Sequence, residues 1–306
     1  MSLNKQKYAL VTGASSGIGY ELSIQLVKKL NYKVFACARR EQNLIELQEL
    51  LGSDNVIPLQ IDVSKVDDIL KAKKIVYEKL QGKGGLDLLY NNAGQSCTFP
   101  GFDVTHENLD QAMKVNVYGP IDMCREFGPL VIEAKGIIAF TGSLAGVGIM
   151  PFGSVYSATK AAIHAYARVL HLEMKPFGVK ILNVITGGVD TDIADTRSLP
   201  ETSCFNFKEG KDAFAYRQKM SKHNKPMSVQ KYCTSVIKDL QDLETGENDP
   251  VDVWRGSKVT LVRLVMAFIP YSILEWGFAI KFKLNPIFNA LKKDGEMKDL
   301  STPHLD

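Results

Sequence analysis

Short apolar runs alternate with longer amphipathic stretches along roughly the first 190 of the chain's 306 residues. The stretch after the first run repeats aliphatic residues at helical spacing, with Ile18, Leu22 and Leu26 on one face. Unbroken apolar strands between amphipathic helices are typical of a parallel sheet covered on both faces. The pattern predicts an α/β fold with a doubly wound (Rossmann-type) parallel sheet, whose strands include residues 8–11, 33–38, 56–61, 86–90, 136–140 and 179–185.

The alternation breaks in two places after the last of these runs. Residues 192–249 are polar and rich in loop-forming residues, and long inserts of this kind are often lids over a site. The residues beyond 250 differ in composition and include the most apolar part of the chain. We therefore predict one catalytic domain over residues 1–250, with residues 192–249 as its substrate lid, and a C-terminal apolar extension over residues 251–306.

Composition narrows the functional classes. The net charge of +3 is too small to indicate binding to nucleic acid, so no such partner is expected. The five cysteines are scattered without Cys-x-x-Cys pairs, which predicts reduced thiols and no metal site. The first residues lack the apolar stretch of a signal peptide, and we expect the catalytic part to face the cytosol. Homo-oligomerisation stays open.

A glycine-rich turn joins the first predicted strand to the first predicted helix. Glycines in such a turn allow a tight bend and let the backbone approach a pyrophosphate closely. The N-terminus of the following helix offers free N–H groups to the phosphates. We predict that this loop binds a dinucleotide through Gly13, Ser15, Ser16, Gly17, Ile18 and Gly19.

The second predicted strand ends in Arg39 and Arg40. In dinucleotide-binding folds an acidic residue near this position holds the ribose of NAD, whereas arginine accommodates the 2′-phosphate of NADP. No carboxylate is present here to repel a phosphate, and a guanidinium group binds one bidentately. The sequence therefore favours NADP(H) as cofactor, with Arg39 as a ligand. The alternative is a pair of solvated surface arginines.

Five motifs occur together in the order and approximate spacing of the short-chain dehydrogenase/reductase family. They are "TGASSGIG" at 12–19, "NNAG" at 91–94, "KVNVYG" at 114–119, "TGSLAG" at 141–146 and "YSATK" at 156–160. The chain resembles this family over residues 8 to about 195. The resemblance implies an oxidoreductase that acts on a carbonyl or alcohol group with a nicotinamide cofactor.

Tyr156 and Lys160 have the spacing needed for proton transfer to a ketone. Reduction of a ketone needs a proton at oxygen, and a phenol with a pKa near 10 is a sluggish acid–base catalyst at neutral pH. Lys160 lies one helical turn from Tyr156, where its cation stabilises a phenolate. Ser143, at the end of a strand, is placed to hydrogen-bond the substrate carbonyl. A helix N-cap is the structural alternative for Ser143.

The family resemblance implies roles for further residues. Lys160 is implied to hold the nicotinamide ribose, and Asn116 to anchor a water that relays protons to Lys160; a polar residue inside a helix is the alternative for Asn116. Asp62 resembles the carboxylate that contacts adenine, with a strand-end cap as the alternative. Thr186 replaces the proline usual after the sixth strand, so we expect a less rigid loop there. The other implied cofactor residues are Tyr156, Asn91, Ala93, Gly94, Gly187, Val189 and Thr191.

The glycine-rich turn also carries a competing motif. Residues 13–17, "GASSG", satisfy the Gly-x-Ser-x-Gly pattern of lipases and esterases, at the strand–turn–helix position that this pattern requires. A serine hydrolase also needs a histidine base and an orienting carboxylate. His164 and His171 exist, but nothing in the sequence places them near Ser15. The hydrolase hypothesis therefore stays open as an alternative from another class.

The most apolar segment of the chain is residues 259–284. Its longest uncharged run, residues 264–274, is too short for a bilayer-spanning helix, which needs about 20 residues. Flanking lysines and arginines suit anionic lipid headgroups, while Phe268, Tyr271 and Trp276 suit the interface. We expect this segment to attach to a membrane surface. The alternative is a helix that covers the substrate cleft, and both roles are compatible.

Further motifs, spread along the whole chain, resemble fungal reductases of 1-acyl-dihydroxyacetone phosphate. They include "HLEMKPF", "TDIAD", "NKPM" and "DPVDVWRG". This resemblance implies an acylated lipid ketone as substrate, NADPH as cofactor, a place in phosphatidic acid synthesis, and location at the endoplasmic reticulum membrane and lipid droplet surface. The candidates for binding the substrate phosphate are Arg197, Lys208, Lys211 and Arg217. The sequence does not choose among these four.

Two alternatives share most of these features. Retinoid and hydroxysteroid dehydrogenases have the same core and similar tails. A non-enzymatic protein that binds NADPH at a lipid surface would keep the cofactor loop, but binding alone does not require Tyr156.

Overall fold

The computed structural model describes residues 5–220, 225–246 and 248–293. Its strands are β1 Lys7–Thr12, β2 Tyr32–Ala38, β3 Val56–Gln60, β4 Leu88–Asn91, β5 Ile137–Thr141, β6 Lys180–Thr186 and β7 Asp252–Arg255. Within these described residues the strands form one seven-stranded sheet in the order β3-β2-β1-β4-β5-β6-β7. Every neighbouring pair runs parallel, so the predicted doubly wound α/β fold is confirmed.

Helices cover both faces of the sheet because side chains alternate along each strand. In β1, Ala9 and Val11 belong to one hydrophobic core, and Tyr8 and Leu10 to the other. The helix bounds are α1 Gly17–Leu30, α2 Glu41–Leu51, α3 Val66–Leu80, α4 His106–Met113, α5 Gly119–Ala134, α6 Ser154–Met174, α7 Lys208–Gln218, α8 Val229–Thr245, α9 Val259–Phe268, α10 Tyr271–Lys281 and α11 Leu284–Lys293. Helices α1, α2 and α8 bury apolar residues in the first core, and α3, α5 and α6 in the second.

The sheet has a switch point between β1 and β4. β1 pairs with β2 on one side and with β4 on the other, so the chain winds in opposite directions from this position. In open parallel sheets, ligands bind beyond the carboxyl ends of the strands at such a point. The glycine-rich turn after β1 therefore meets the loops after β4, β5 and β6 at one edge of the sheet.

The catalytic domain extends further along the chain than the sequence pattern indicated. β7 lies beyond residue 250, yet it pairs with β6 and completes the sheet, so the predicted boundary at 250/251 cuts through the sheet. Helix α8 falls inside the predicted lid of residues 192–249, but it packs against α1 and buries Tyr232, Val236 and Leu240 in the core. Helix α8 is therefore part of the core, and the predicted lid cannot include it.

The side chain of Thr186 anchors the loop after β6, where a less rigid loop was expected. Its hydroxyl forms a hydrogen bond of 2.7 Å with the phenol of Tyr232, a residue that is fully buried in α8. The next residue, Gly187, donates its N–H to the carbonyl of Arg255 at 2.8 Å. Ser257 donates to the carbonyl of Gly188 at 3.1 Å. The bond between Thr186 and Tyr232 is an anchor that the proline usual in the family cannot provide, since proline has no hydroxyl.

The apolar tail folds into the short helices α9, α10 and α11, separated at Pro270 and Phe282. Among the described residues, none of the helices combines the length and the apolar character needed to cross a membrane. Part of the tail is buried, including Leu274, Phe282 and Ile287. The rest exposes many large apolar side chains. The tail therefore has both a buried side and an exposed apolar side.

Candidate functional site

The glycine-rich turn has the backbone shape of a phosphate cradle. Gly13 and Gly17 have positive φ angles of 68° and 56°, a conformation that other residues adopt only with strain. A Cβ atom at Gly13 would lie 2.9 Å from Nδ2 of Asn92, and one at Gly19 would lie 2.4 Å from the carbonyl oxygen of Gly13. The turn is therefore compact only because these positions lack side chains. It ends at the N-terminus of α1, where free N–H groups face a ligand.

A cavity of about 1190 Å³ opens at this edge of the sheet. Ligand pockets are typically about 300–1,000 Å³, so this volume suits a dinucleotide together with a substrate. The predicted residues that line it are Gly13, Ser15, Ser16, Gly17, Ile18, Arg39, Asp62, Ala93, Gly94, Ser143, Tyr156, Lys160, Gly187, Val189 and Thr191. Gly19, Asn91 and Asn116 lie behind its wall.

The side chain of Asn91 points away from the cavity. Because side chains alternate along a strand, Asn91 at the end of β4 faces α5, where its Nδ2 lies 3.6 Å from Sγ of Cys124. The next residue, Asn92, lines the cavity instead and donates from Nδ2 to the carbonyl of Thr12 at 3.0 Å. Asn92 thus ties the loop after β4 to the glycine-rich turn. Asn91, which the family resemblance implied as a cofactor residue, does not itself line the cavity.

Both arginines after β2 line the cavity. Arg40 donates from one terminal nitrogen to the hydroxyls of Ser15 at 3.2 Å and Ser16 at 3.0 Å. The positive charge of Arg39 acts on Asp62, whose pKa is lowered: burial alone would raise it, but hydrogen bonds from Ser64 and the Arg39 charge outweigh burial. Asp62 is thus both a turn cap and part of the cavity wall. Arg40, which the sequence analysis did not assign to the cofactor, is equally well placed for a 2′-phosphate.

Lys160 holds its ammonium group in a nearly water-free position. The residue is 5% exposed, and its Nζ donates to the carbonyl of Thr141 at 2.9 Å. Burial lowers the pKa of Lys160 to about 8, so the charged form still predominates at pH 7. A Cβ atom at Gly94 would lie 3.6 Å from this Nζ and 3.4 Å from Oδ1 of Asn116. Gly94 therefore keeps space open between the lysine and the asparagine.

Asn116 fixes the loop that faces Lys160. It lies in a π-helical turn, Lys114–Tyr118, between α4 and α5, and such turns occur frequently at functional sites. Its Oδ1 accepts the backbone N–H of Gln95 at 2.9 Å. Its Nδ2 donates to the carbonyl of Gln95 at 3.0 Å and to the hydroxyl of Thr159 at 3.1 Å. The side chain joins the loop after β4 to the residue preceding Lys160.

Tyr156 and Ser143 meet at the cavity wall. Burial raises the pKa of Tyr156, whereas a hydrogen bond with the side chain of Ser143 and the positive charge of Arg217 lower it. Nζ of Lys160 lies 5.9 Å from the centre of the Tyr156 ring. Ser143 also accepts the N–H of Ala145 at 3.1 Å, so it caps the short 3₁₀ turn Leu144–Gly146. The capping and catalytic hypotheses for Ser143 are therefore compatible.

His164 supports Ser143 from behind. Its Nε2 accepts the backbone N–H of Ser143 at 3.1 Å, which requires the neutral ring with its proton on Nδ1. Cβ atoms at Gly142 and Gly146 would lie 2.7 Å from ring atoms of His164, so the imidazole fits closely between these glycines. Burial lowers the pKa of His164 to about 4. This role of His164 was not predicted from the sequence, because the contact joins the loop after β5 to the middle of α6.

The structure gives no support to a hydrolase centred on Ser15. Its hydroxyl interacts with Arg40, and among the described residues no histidine hydrogen-bonds it. His164 already accepts the backbone N–H of Ser143, and Nε2 of His171 lies 4.0 Å from a carboxylate oxygen of Asp249. Within the same described part of the chain, no cluster of side chains is suited to holding a metal ion.

Comparisons with known proteins show the family to which the chain belongs. Residues 7–202 match the sequence model described as short chain dehydrogenase. The chain belongs to the short-chain dehydrogenase family. The resemblance of the motifs and the expected oxidoreductase class are thereby confirmed.

Individual relatives extend the match to nearly the whole chain. An NADPH-dependent 1-acyldihydroxyacetone phosphate reductase of Saccharomyces cerevisiae is 53% identical, over 96% of this chain and 97% of the relative. A Schizosaccharomyces pombe protein of the same name is 32% identical, over 76% of this chain and 75% of the relative. A crystal structure of a short-chain dehydrogenase from Streptomyces avermitilis superposes with a TM-score of 0.75 and 26% identity, over 92% of this chain and 99% of that one.

The first prediction concerns cofactor choice. Replacing Arg39 with Asp, or Arg40 with Asp, removes a guanidinium beside the glycine-rich turn and adds a charge that repels a 2′-phosphate. We expect the ratio of kcat/KM for NADPH over NADH to fall by about 10- to 100-fold in each variant, measured by cofactor oxidation. Lys28→Asp, an exposed change of the same charge on α1, should leave the ratio unchanged. A preserved NADPH preference in both arginine variants would contradict this assignment.

The second prediction concerns His164. Because its pKa is lower in the folded chain than its ordinary value of 6.5, stability is fully present above pH 6.5 and is lost as the pH falls towards 4. Relative to His164→Gln, wild type should lose up to about 1.4 kcal/mol of unfolding free energy per pH unit across this window. Denaturant unfolding at several pH values measures this difference. His106→Gln, at an exposed position, should follow wild type; an identical pH dependence in His164→Gln would disprove the role.

Proposed function

We propose that this protein reduces 1-acyl-dihydroxyacetone phosphate to 1-acyl-glycerol 3-phosphate with NADPH, a step towards phosphatidic acid. The carrying observation is the 53% identity to a full-length reductase of that name, combined with a cavity in which Ser143, Tyr156 and Lys160 converge. Fold likeness alone would not specify a substrate, because this family's sheet supports many reactions.

The cofactor fits the residues that the chain offers. The phosphate cradle at Gly13 and Gly17 suits the pyrophosphate, Arg39 and Arg40 suit the 2′-phosphate, and Lys160 is placed for the nicotinamide ribose. Bound NADPH supplies the hydride that reaches the ketone carbon. The chain's own residues must then orient the ketone, polarise its oxygen and deliver a proton to that oxygen.

Proton delivery is assigned to the phenol of Tyr156. Ser143 hydrogen-bonds the ketone oxygen and polarises it, while the hydroxyl of Tyr156 donates its proton to the same oxygen as negative charge develops there. The phenolate that remains is stabilised by the cation of Lys160 and by that of Arg217. Thr141 holds the ammonium of Lys160 through its carbonyl, and Asn116 positions the adjoining turn. His164 keeps Ser143 in place.

The substrate end of the cavity supports an acylated substrate. Its wall includes the apolar side chains of Leu144, Met150, Val262 and Phe278. Two of these, Val262 and Phe278, come from the tail helices α9 and α10, so the tail contributes directly to the wall. Apolar side chains at the mouth favour an acyl chain over water. Retinoids and steroids are apolar as well, which keeps the retinoid or hydroxysteroid dehydrogenase reading as the second candidate.

We further propose that the tail places the enzyme on a lipid surface, at the endoplasmic reticulum membrane and lipid droplets, with the catalytic domain facing the cytosol. The tail helices expose many large apolar residues within about 30 positions of the chain, and exposed apolar areas mark interaction surfaces. Lys258 and Arg263 add positive charge near this surface, where anionic headgroups are favourable partners. The exposed apolar residues are Leu261, Leu264, Phe268, Ile269, Tyr271, Ile273, Trp276, Ile280, Phe288 and Leu291.

The third prediction tests the reaction itself. Purified enzyme should oxidise NADPH with 1-acyl-dihydroxyacetone phosphate, and Tyr156→Phe should lower kcat by at least about 100-fold, because only the proton donor is lost. Tyr166→Phe, a change of the same chemistry on the same helix away from the cavity, should retain activity. All-trans-retinal and estrone are run in parallel as substrates of the second candidate.

Each other outcome has a definite meaning for this proposal. Turnover of retinal or estrone without turnover of the acylated ketone would keep the proton donor and reject the substrate. Absence of NADPH oxidation, with labelling by a fluorophosphonate probe that disappears in Ser15→Ala, would reject the reductase in favour of the hydrolase.

The fourth prediction tests the lipid surface. Changing Phe268, Tyr271 and Trp276 together to Ser removes exposed aromatic side chains without touching the cavity wall. Binding to vesicles of phosphatidylcholine and phosphatidic acid, measured by flotation, should weaken by at least about tenfold. Phe102→Ser with Leu172→Ser, which removes exposed apolar residues elsewhere, should bind like wild type. Deleting residues 258–306 should also release the protein, but this deletion opens the cavity as well. Undiminished flotation of the triple variant would refute the surface.

A further inference from the structure

Arg217 is a half-buried cation in the wall of the cavity. It lies in the last turn of α7 and lines the same cavity as Tyr156. Its Nε donates to the carbonyl of Pro151 at 3.2 Å. One of its terminal nitrogens would lie 3.3 Å from a Cβ atom placed on Gly153. The guanidinium group is thus held against the segment that precedes α6, close enough to Tyr156 for its charge to lower the pKa of the phenol.

The charge of Arg217 has no carboxylate partner in the described part of the chain. No Asp or Glu oxygen there lies within ion-pair distance of it. Asp195 is the acidic residue whose charge acts on Arg217. Its carboxylate is already bound by Arg197, with nitrogen–oxygen distances of 2.9 and 2.6 Å. Partial burial lowers the pKa of Arg217 from its usual high value. A charge that is shielded from water in this way favours a charged partner.

The frame around Arg217 is well packed. Phe214, one turn earlier on α7, meets the ring of Phe152 edge to face with centroids 5.7 Å apart. Ile287 of α11 joins the same small core. Phe152 lies between Pro151, which accepts the Arg217 hydrogen bond, and Gly153, which the guanidinium approaches. The tail, the lid and the segment before α6 therefore fix one position for the guanidinium, so binding an anion there loses little side-chain entropy.

The other candidate cations are less well placed. Arg197 is committed to Asp195 and stacks on Phe99, with 4.7 Å between the guanidinium and the ring centre. Lys208 and Lys211 are exposed and do not line the cavity. Lys281 lines it, but burial and the charge of Lys258 lower its pKa.

We infer that Arg217 binds the phosphate group of the substrate and thereby selects a phosphorylated ketone. This inference rests on the proposed function. In 1-acyl-dihydroxyacetone phosphate, one methylene and one oxygen separate the ketone carbon from phosphorus, so the cation that binds the phosphate must lie beside the proton donor. Arg217 meets this condition. Its two terminal nitrogens suit bidentate contact with phosphate oxygens.

The experiment compares two ketones that differ only in the phosphate: a short-chain 1-acyl-dihydroxyacetone phosphate and the matching 1-acyl-dihydroxyacetone. Both are assayed at concentrations at which they are monomeric. In wild type, kcat/KM should favour the phosphorylated ketone. Arg217→Met should reduce that preference by about 30- to 100-fold, since a charged hydrogen-bond partner is lost. Arg217→Lys should retain part of it, and Lys211→Met, an exposed change of the same type on the same helix, should retain all of it.

A second readout separates binding from folding. The affinity of the product, 1-acyl-glycerol 3-phosphate, relative to the unphosphorylated monoacylglycerol should fall in Arg217→Met by a similar factor, measured by calorimetry. Equal losses on both ketones would show that Arg217 acts only through Tyr156 or through the fold, and would overturn the inference. Loss of the phosphate preference in Lys281→Met but not in Arg217→Met would also overturn it. Failure of wild type to reduce either ketone would instead overturn the proposed function.

Discussion

The buried ammonium group of Lys160 is the interaction on which the rest of the site depends. Moving its pKa from 10.5 to about 8 corresponds to roughly 3 kcal/mol against the charged form, so the chain must compensate for lost water. The carbonyl of Thr141, at the end of β5, accepts one N–H bond. Gly94 leaves the remaining space open, and Asn116 fixes the neighbouring turn. The end of β5, the absence of a side chain at Gly94 and the π-helical turn around Asn116 therefore together determine the surroundings of the Lys160 ammonium group.

A second constraint comes from the tail, which belongs to the site as much as to the surface. Phe278 and Lys281 form part of the cavity wall, while Ile287 helps to hold α7 in place. Exposed aromatic residues such as Trp276 lie on the same helices. An acyl chain that leaves a lipid surface would thus meet tail residues first and Tyr156 last. Surface attachment and substrate access are consequently linked through one element in this proposal.

Much of this arrangement is local and was predictable from sequence. Short segments of sequence are enough to recognise the glycine-rich turn, the unbroken apolar strands and the spacing of Tyr156 and Lys160. Contacts between distant segments were not predictable. β7 has one fully inward residue, Val253, and therefore lacks a strong strand pattern. His164 meets Ser143, and Arg217 meets Pro151, only after the fold brings them together. Choosing between Asn91 and Asn92 required the exact residue at which β4 ends.

Deuterium transfer tests the central claim, reduction of a ketone at this site, most directly. Wild-type protein is given 1-acyl-dihydroxyacetone phosphate with NADPH that carries deuterium at nicotinamide C4, in each of its two stereoisomers, and the product is analysed by mass spectrometry. The account predicts 1-acyl-glycerol 3-phosphate with one deuterium on the central carbon for one stereoisomer and none for the other. Unlabelled product from both stereoisomers, or release of free fatty acid instead of reduction, would contradict it.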